Sequence, residues 1–566
     1  MANFFKDNPN LRRRLERTPW EQFLPALERD FTDQSELAPS NLDEAKELIT
    51  DVLETVGEIC ANEIAPHAAE VDRVGSRLEN GEVIYPEPMQ RAFKTLADAG
   101  LMGLTLPREF GGLNFPMTAY TAAVEMISRA DAALMTVYAL QGCGDTIHRY
   151  GARELHEKYL PGICSGELTA CMALTEPHAG SALDAVTTRA TEQEDGTWRV
   201  RGSKCFITNG GADVLLVLAR SEEDRSGGYG LSLFVAEKGE GIEVAKLEDK
   251  LGIHGSPTAV VNFNDAPAVL LGGRGSGLYT VGMSLLYNAR LEVAAQAVGI
   301  AQAAQTAAVR YAHEREQFKR AIDHFPAVRM MLFESAAEIE AARALVMTTA
   351  SVVDRQHGQK FRQAEEKDTD RLRQVADILT PLAKYYASEM ANRVASRALQ
   401  VHGGYGYMRE YPVERHLRDA RITNIYEGTS EIQVSMMIGP LLQRGLPLLF
   451  EQRLESAREV PGAKGAVDLL RGSYETLLRC VQDVRAVGKH AYRGWAKLFA
   501  DATADLYTAL VFLDDAQQDE RAAVLALHQA RSAHRHARNL DETIQAKDTL
   551  SFETESFERV IESYRA

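Results

Sequence analysis

The chain has 566 residues but only six cysteines, Cys60, Cys143, Cys164, Cys171, Cys205 and Cys480, and none is spaced as a CxxC or a metal-ligand pair. Thiols this scattered read as reduced and mostly buried, as in an intracellular protein. No run of about 18 apolar residues is present, which excludes a membrane-spanning helix. The N-terminus, Met1-Ala2-Asn3-Phe4-Phe5-Lys6-Asp7 and then Arg12-Arg13-Arg14, lacks the apolar stretch of a signal peptide, so a cytoplasmic location is expected. Positive charge is short as well. A formal charge of −17 argues against nucleic acid as a partner, although a basic patch can hide inside an acidic total. Phosphate-loop signatures are missing. Gly488-Lys489 runs into His490, and Gly228-Tyr229-Gly230, Gly273–Gly277 and Gly404-Tyr405-Gly406 each lack the third glycine of a dinucleotide fingerprint. Repeats and low-complexity tracts are absent.

What is present is a chain 45% apolar, enough for sizeable cores. Its length suggests about three to four domains. Residues 1–40 are polar and mixed in charge, with Pro9, Pro19, Pro25 and Pro39, and read as an extension draped on the body or on a partner subunit. From 41 the pattern is helical. Asn41 and Asp43 can cap, and Ala45, Leu48, Ile49, Val52, Leu53 and Val56 recur at helical spacing. Residues 41–167 form an N-terminal helical domain, with Arg108 to Gly112 as a loop. At 168–275 the period changes to a compact β domain. Thr197 to Arg201 alternates after the Asp195-Gly196 turn, and Asp213 to Arg220 reads as a buried strand. Leu231 to Val235 and Val260 to Phe263 are further strands. Residues 276–440 are helical again, with a charged insert, Asp354 to Arg373, expected at the surface between two helices. Residues 441–566, after the Ser456 to Gly462 linker, form an extra C-terminal helical domain.

Several stretches carry candidate chemistry. Asp419 to Ser430 sets one carboxylate, Glu427, between Tyr426 and Gly428 on a loop entering a helix, with Thr429 or Ser430 as the cap. In an apolar pocket that carboxyl would rise from roughly 4.3 toward neutrality, as a general base requires. Taken alone, the run also reads as a surface turn with a solvated Glu. Ala173 to Ser181 can bring backbone N–H groups close to a ring or a phosphate, or be a plain turn. Lys204 to Gly211 offers Phe206 and Thr208 on either side of Ile207, able to stack on and bond a flat heterocycle, or to serve as core before a hairpin. Arg315 to Phe318 can set an arginine against a pyrophosphate or end a helix in solvent. Gln400 to Gly406 is a glycine-broken helix end, either a ligand contact or a plain cap. His528, His534 and His536 do not complete a metal site, and no metal is expected. Arg531 to Arg538 is a solvated helix face or a basic patch for an acidic membrane or CoA phosphates.

These pieces, in this order over about residues 45–440, resemble the acyl-CoA dehydrogenase family. The resemblance rests on Leu174-Thr175-Glu176-Pro177 with Ala179-Gly180-Ser181, Gly202-Ser203-Lys204 with Ile207-Thr208-Asn209-Gly210, and Gly252-Ile253 with Gly255-Ser256-Pro257-Thr258. It continues in Arg315 with Gln317-Phe318, Gln400 with His402 to Gly406, Glu410 to Arg415, Arg418 to Ile422, and Ile425 to Thr429. It implies an α+β, mainly α fold: an N-terminal helical domain, a middle β-barrel or sandwich and a four-helix bundle, with FAD at their junction and at a subunit interface. Residues 441–566 resemble the extra helical domain of longer members, which are often dimers where short members are tetramers, so a homodimer or homotetramer is implied.

The resemblance also implies roles. Glu427 would be the catalytic base, with Arg290 near it and Ser181 contacting flavin and substrate. Leu174, Thr175, Gly180, Phe206, Ile207 and Thr208 would line the flavin. Arg315, Phe318, Gln400, Gly403 and Gly404 would meet its adenine and pyrophosphate end from a neighbouring subunit, and Thr429 and Glu431 would close over it. The implied reaction is α,β-dehydrogenation of an acyl-CoA to the trans-2-enoyl-CoA, with electrons passed to an electron-transfer flavoprotein. An oxidase using oxygen and a non-catalytic flavin-binding or DNA-associated relative are the alternatives. The C-terminal domain is a candidate for peripheral membrane contact. The chain departs from the family pattern at Phe206 (usually Trp), Ala182 (usually Asp), Met172 (often aromatic) and Pro326 (often Gln). Some relatives carry the base just before the arginine. That position is Ala289 here, and Glu292 nearby is secondary.

Overall fold

The structure, a computed structural model, describes residues 2–361, 366–487, 489–547, 549 and 553–565. Helix Leu42–Ile59 starts where the Asn41 side chain accepts from the Asp43 and Glu44 N–H groups, both at 3.0 Å, and it buries Ala45, Ile49, Leu53 and Val56 along one stripe. It packs on helix Met117–Ala130, which is buried almost all round. The N-terminus of that helix is capped from far away in sequence. Asp354 accepts from Met117 N (2.7 Å), Thr118 N (2.8 Å) and Thr118 Oγ1 (2.6 Å). Asp354 is 1% exposed and sits within helix Pro326–Phe361. This corrects the start of the expected surface link, Asp354 to Arg373: Asp354 is buried in a helix that continues to Phe361, whereas helix resumes at Glu366 with Asp368, Arg371 and Arg373 exposed, and 362–365 lie outside the described residues.

The β domain closes on itself. Strand Val214–Arg220 pairs with Leu231–Glu237, which pairs with Thr258–Leu271, then Trp198–Thr208, then Arg189–Glu192, which returns to Val214–Arg220. Ala170–Ala173 runs parallel to Val214–Arg220, and Ile242–Leu247 joins Thr258–Leu271. Side chains alternate along the central strand. Leu215, Val217 and Ala219 fill the interior with Trp198 and Phe234, whereas Val214, Leu216 and Leu218 face the helices with Leu174 and Leu233.

The long helices Met283–Glu314, Pro326–Phe361 and Glu366–His402 pack side by side, and Ser430–Pro440 lies against the last. Helices Lys464–Val487, Ala496–Ala516 and Glu520–Gln545 form the C-terminal layer. The N-terminal extension packs on its own chain. Leu11, Leu15, Trp20, Phe23 and Leu24 enter the main core. Arg14 reaches Asp515 (2.6 Å), Arg17 reaches Asp519 (3.2 Å), and buried Glu28 takes two hydrogen bonds from Arg108, at 2.7 and 3.0 Å. A second clasp joins three regions: Asp419 accepts from Ile253 N at 2.6 Å, while Arg418 pairs with Asp72 (2.6 Å) and Glu414 (2.7 Å). Among the described residues, no helix is long and apolar enough to cross a membrane.

Candidate active site

A cleft of about 430 Å³ opens between the β domain and the bundle. Leu174, Thr175, Gly180, Ser181, Phe206, Ile207, Thr208, Arg290 and Glu427 all line it, so nine of the sequence-proposed residues converge on one space. Each is placed by a local device. Strand Trp198–Thr208 slips register between Lys204 and Ile207, a bulge that holds Phe206 at φ 59 and leaves the residue 63% exposed at the cleft. The loop from Leu174 to Ser181 is fixed by a buried ion pair. Lys204 Nζ donates to Leu174 O (3.0 Å) and to Glu176 Oε1 (2.8 Å), and Glu176 also accepts from Thr187 and Thr188 N–H groups, both at 2.9 Å. These partners overcome the burial penalty and hold the Glu176 carboxyl down at about 2.

Glu427 stands on the loop between helices Val413–Ile422 and Ser430–Pro440. The Thr429 side chain caps the second helix, accepting from Ile432 N at 3.3 Å. Glu427 has φ 54, left-handed backbone that costs a non-glycine residue about 1–3 kcal/mol and occurs where a site over-determines it. Its surroundings supply that determination. Gln433 Nε2 donates to Glu427 O and Gly428 O, both at 3.0 Å, Lys384 Nζ donates to Gly428 O at 2.7 Å, and the Tyr426 hydroxyl donates to buried Gln296. Burial raises the Glu427 carboxyl above its ordinary value, and the charges of Arg290 and Lys384 pull it back. Arg290 is 3% exposed, and its Nε and Nη1 have no hydrogen-bond partner. Burial depresses its guanidinium, opposed by Tyr287 and Glu427. Among the described residues, the Glu427 N–H has no acceptor.

Other sequence-proposed residues lie elsewhere. Arg315, Gly403 and Gly404 line a separate, more open cavity with Tyr311 and His402 stacked at 4.3 Å. Phe318 is 87% exposed, and Gln400 is exposed at the end of its helix. Thr429 and Glu431 flank the base without lining the cleft. Glu292 is buried away from the cleft, pushed up to about 8 by burial and the Glu427 charge. His536 is tied to Asp505 at 2.8 Å and His528 packs edge-on to Phe333. Sequence reasoning missed Lys384, Gln433 and the support that Lys204 and Glu176 give. Lys204 and Glu176 stood within the quoted motifs, but Lys384 carries no local signal.

The cleft suits a flat ring system bearing polar edges. It offers an outward aromatic face at Phe206, hydroxyls at Thr175 and Thr208, and free space in front of Gly180, where an added Cβ would meet nothing within 4 Å. Such a fold and site define a class, and comparison with known proteins agrees. Models of the acyl-CoA dehydrogenase N-terminal, middle and C-terminal domains match residues 47–167, 171–266 and 275–439. The chain belongs to the acyl-CoA dehydrogenase family and is an oxidoreductase of that class.

Among curated relatives it is 37% identical over 415 residues to 3-methylmercaptopropionyl-CoA dehydrogenase of Ruegeria pomeroyi, covering 68% of this chain and 69% of that one. It is 36% identical over 403 residues to the short-chain specific acyl-CoA dehydrogenase of Megasphaera elsdenii, 69% of this chain and 97% of that one. Among solved structures it is similar to butyryl-CoA dehydrogenase from M. elsdenii, with TM-score 0.62 and 32% identity over 73% of this chain and 99% of that one. A chain from a structure described as the electron transferring flavoprotein of Acidaminococcus fermentans matches at TM-score 0.62 and 34% identity, again over 73% and 99%.

Proposed function

We propose that this enzyme is an FAD-dependent acyl-CoA dehydrogenase that converts an acyl-CoA thioester to the trans-2-enoyl-CoA and hands its electrons to an electron-transfer flavoprotein. The observation that carries this is Glu427: one carboxylate, raised by burial and aimed into a cleft whose opposite wall presents Phe206, Thr175 and Thr208. FAD, when bound against that wall, supplies the hydride acceptor for the substrate β carbon. Glu427 takes the α proton. The free N–H of Glu427 donates to the thioester oxygen, where negative charge develops as the proton leaves. Arg290 adds positive charge at the cleft wall and favours the ionised base. Leu140, Leu278 and Met283 exclude water around the acyl chain. Arg315, Gly403 and Gly404, which line a different cavity, would serve the adenine end of an FAD held by a neighbouring copy, which calls for a homo-oligomer.

The test is an anaerobic titration of the FAD-loaded protein with straight, branched, cyclic and aromatic acyl-CoAs. At least one class should bleach the flavin stoichiometrically and yield the 2-enoyl-CoA. Bleaching by none of them overturns the reading. Rapid peroxide formation in air, with no transfer to an electron-transfer flavoprotein, would make it an oxidase.

A further inference from the structure

Helix Glu366–His402 holds the base loop and the helix before it along one face. Ser388 Oγ donates to Thr423 O at 2.9 Å, Asn392 Nδ2 donates to Ala420 O at 3.0 Å, and Lys384 Nζ donates to Gly428 O at 2.7 Å. These residues are spaced four apart, so they stack on one side of the helix. Ser388 and Asn392 suffice as neutral donors. Lys384 differs: it is 0% exposed and makes no ion pair among the described residues. The carbonyl it holds already accepts from Gln433 Nε2 at 3.0 Å. Burying an ammonium with no ion-pair partner costs more than a second hydrogen bond to a carbonyl returns. Among the carboxylates that favour its ammonium, Glu427 acts most strongly, ahead of Glu389 and Glu431.

We propose that Lys384 is a positioning residue for Glu427: its buried ammonium pins the carbonyl of Gly428, the next residue in the chain, and supplies positive charge to the base in addition to that of Arg290. This rests on the reading of Glu427 as the base. Charged groups acting on Lys384 are Glu427, Glu389 and Glu431, which favour the ammonium, and Arg290, which opposes it, while burial draws it down to about 7. Those acting on Glu427 are Arg290 and Lys384, and Glu292, Tyr426 and Cys143 in turn feel its charge. Below about pH 7 Lys384 is charged and favours the carboxylate, so removing it raises the pH at which Glu427 protonates. The two groups titrate as a coupled pair.

Two variants separate charge from hydrogen bond. Lys384→Met removes both, and Lys384→Gln keeps a donor for Gly428 O. The first readout needs no turnover: infrared titration of the protonated carboxyl band that Glu427→Gln abolishes, in the FAD-loaded protein. In both Lys384 variants the band should persist to higher pH than in wild type, by about one unit. The second readout is the anaerobic bleaching rate with butyryl-CoA and octanoyl-CoA. Its acid limb should move up by the same amount, about tenfold in rate at fixed pH on that limb, while crotonyl-CoA affinity and FAD content hold. A wild-type band position in either folded variant overturns the proposal, as does a slower rate with an unmoved limb. If none of the acyl-CoAs bleaches the wild type, the functional reading falls, and the infrared titration still decides the role of Lys384.

Discussion

Glu427 works as a base only where it is ionised, and burial moves that condition. The carboxyl lies above the ordinary glutamate value of about 4.3, so the bleaching rate should fall as pH drops through a midpoint above that value. Stopped-flow rates between pH 5 and 9, extended to the protein's stability limit, check it. A second carboxylate behaves in the opposite sense. Glu176 is held down at about 2, so its contribution to stability is complete above its unfolded value and is lost as pH falls from there toward 2. Glu176→Gln leaves Lys204, 0% exposed, without its counter-charge and should cost about 3–5 kcal/mol in urea unfolding. Both residues stood in short motifs that sequence reading singled out, because glycines, hydroxyls and a lone carboxylate keep their chemistry within a few positions. Lys384 was not legible that way. It meets the base loop 44 residues further along the chain, and only helix packing makes them neighbours.

The base loop and the helix it opens are one device. Gly428 has φ 91, and a Cβ there would come within 2.6 Å of Gln433 Nε2, the atom that holds two loop carbonyls. Gly428→Ala should therefore reduce the bleaching rate by about tenfold or more with smaller loss of stability, since the strain falls on the base's own peptide. Comparing rate with melting temperature separates the two effects. Thr429→Ala removes a helix cap and should cost about 1 kcal/mol. Sequence periodicity recovered the long helices and the strand Val214–Arg220, whose both faces are buried. It missed Ala170–Ala173, Arg189–Glu192 and Ile242–Leu247, short strands that tertiary pairing creates. It also misread Asp354, because a charged residue within a polar stretch gives no sign that it will cap a distant helix.

Across the molecule, the three matched domains meet at the cleft while the two ends of the chain meet each other. The N-terminal extension buries Leu11, Leu15, Trp20, Phe23 and Leu24 and binds the C-terminal layer through Arg14 and Arg17. Each such side chain contributes at most about 1.5–3 kcal/mol by burial, so deleting residues 2–40 should lower the melting temperature by well over 5 °C or leave the protein insoluble. Calorimetry on the truncated chain reads this directly. A truncation that melts like wild type would mean the extension lies elsewhere in solution.

The proposed α-proton abstraction depends on one carboxylate, and one absorbance trace tests it. Glu427→Gln, loaded with FAD and mixed without oxygen with an acyl-CoA that bleaches wild type, should keep its oxidised flavin spectrum while binding the ligand, the rate falling by at least about a thousandfold. Bleaching at the wild-type rate in that variant contradicts the assignment of Glu427 as the α-proton base.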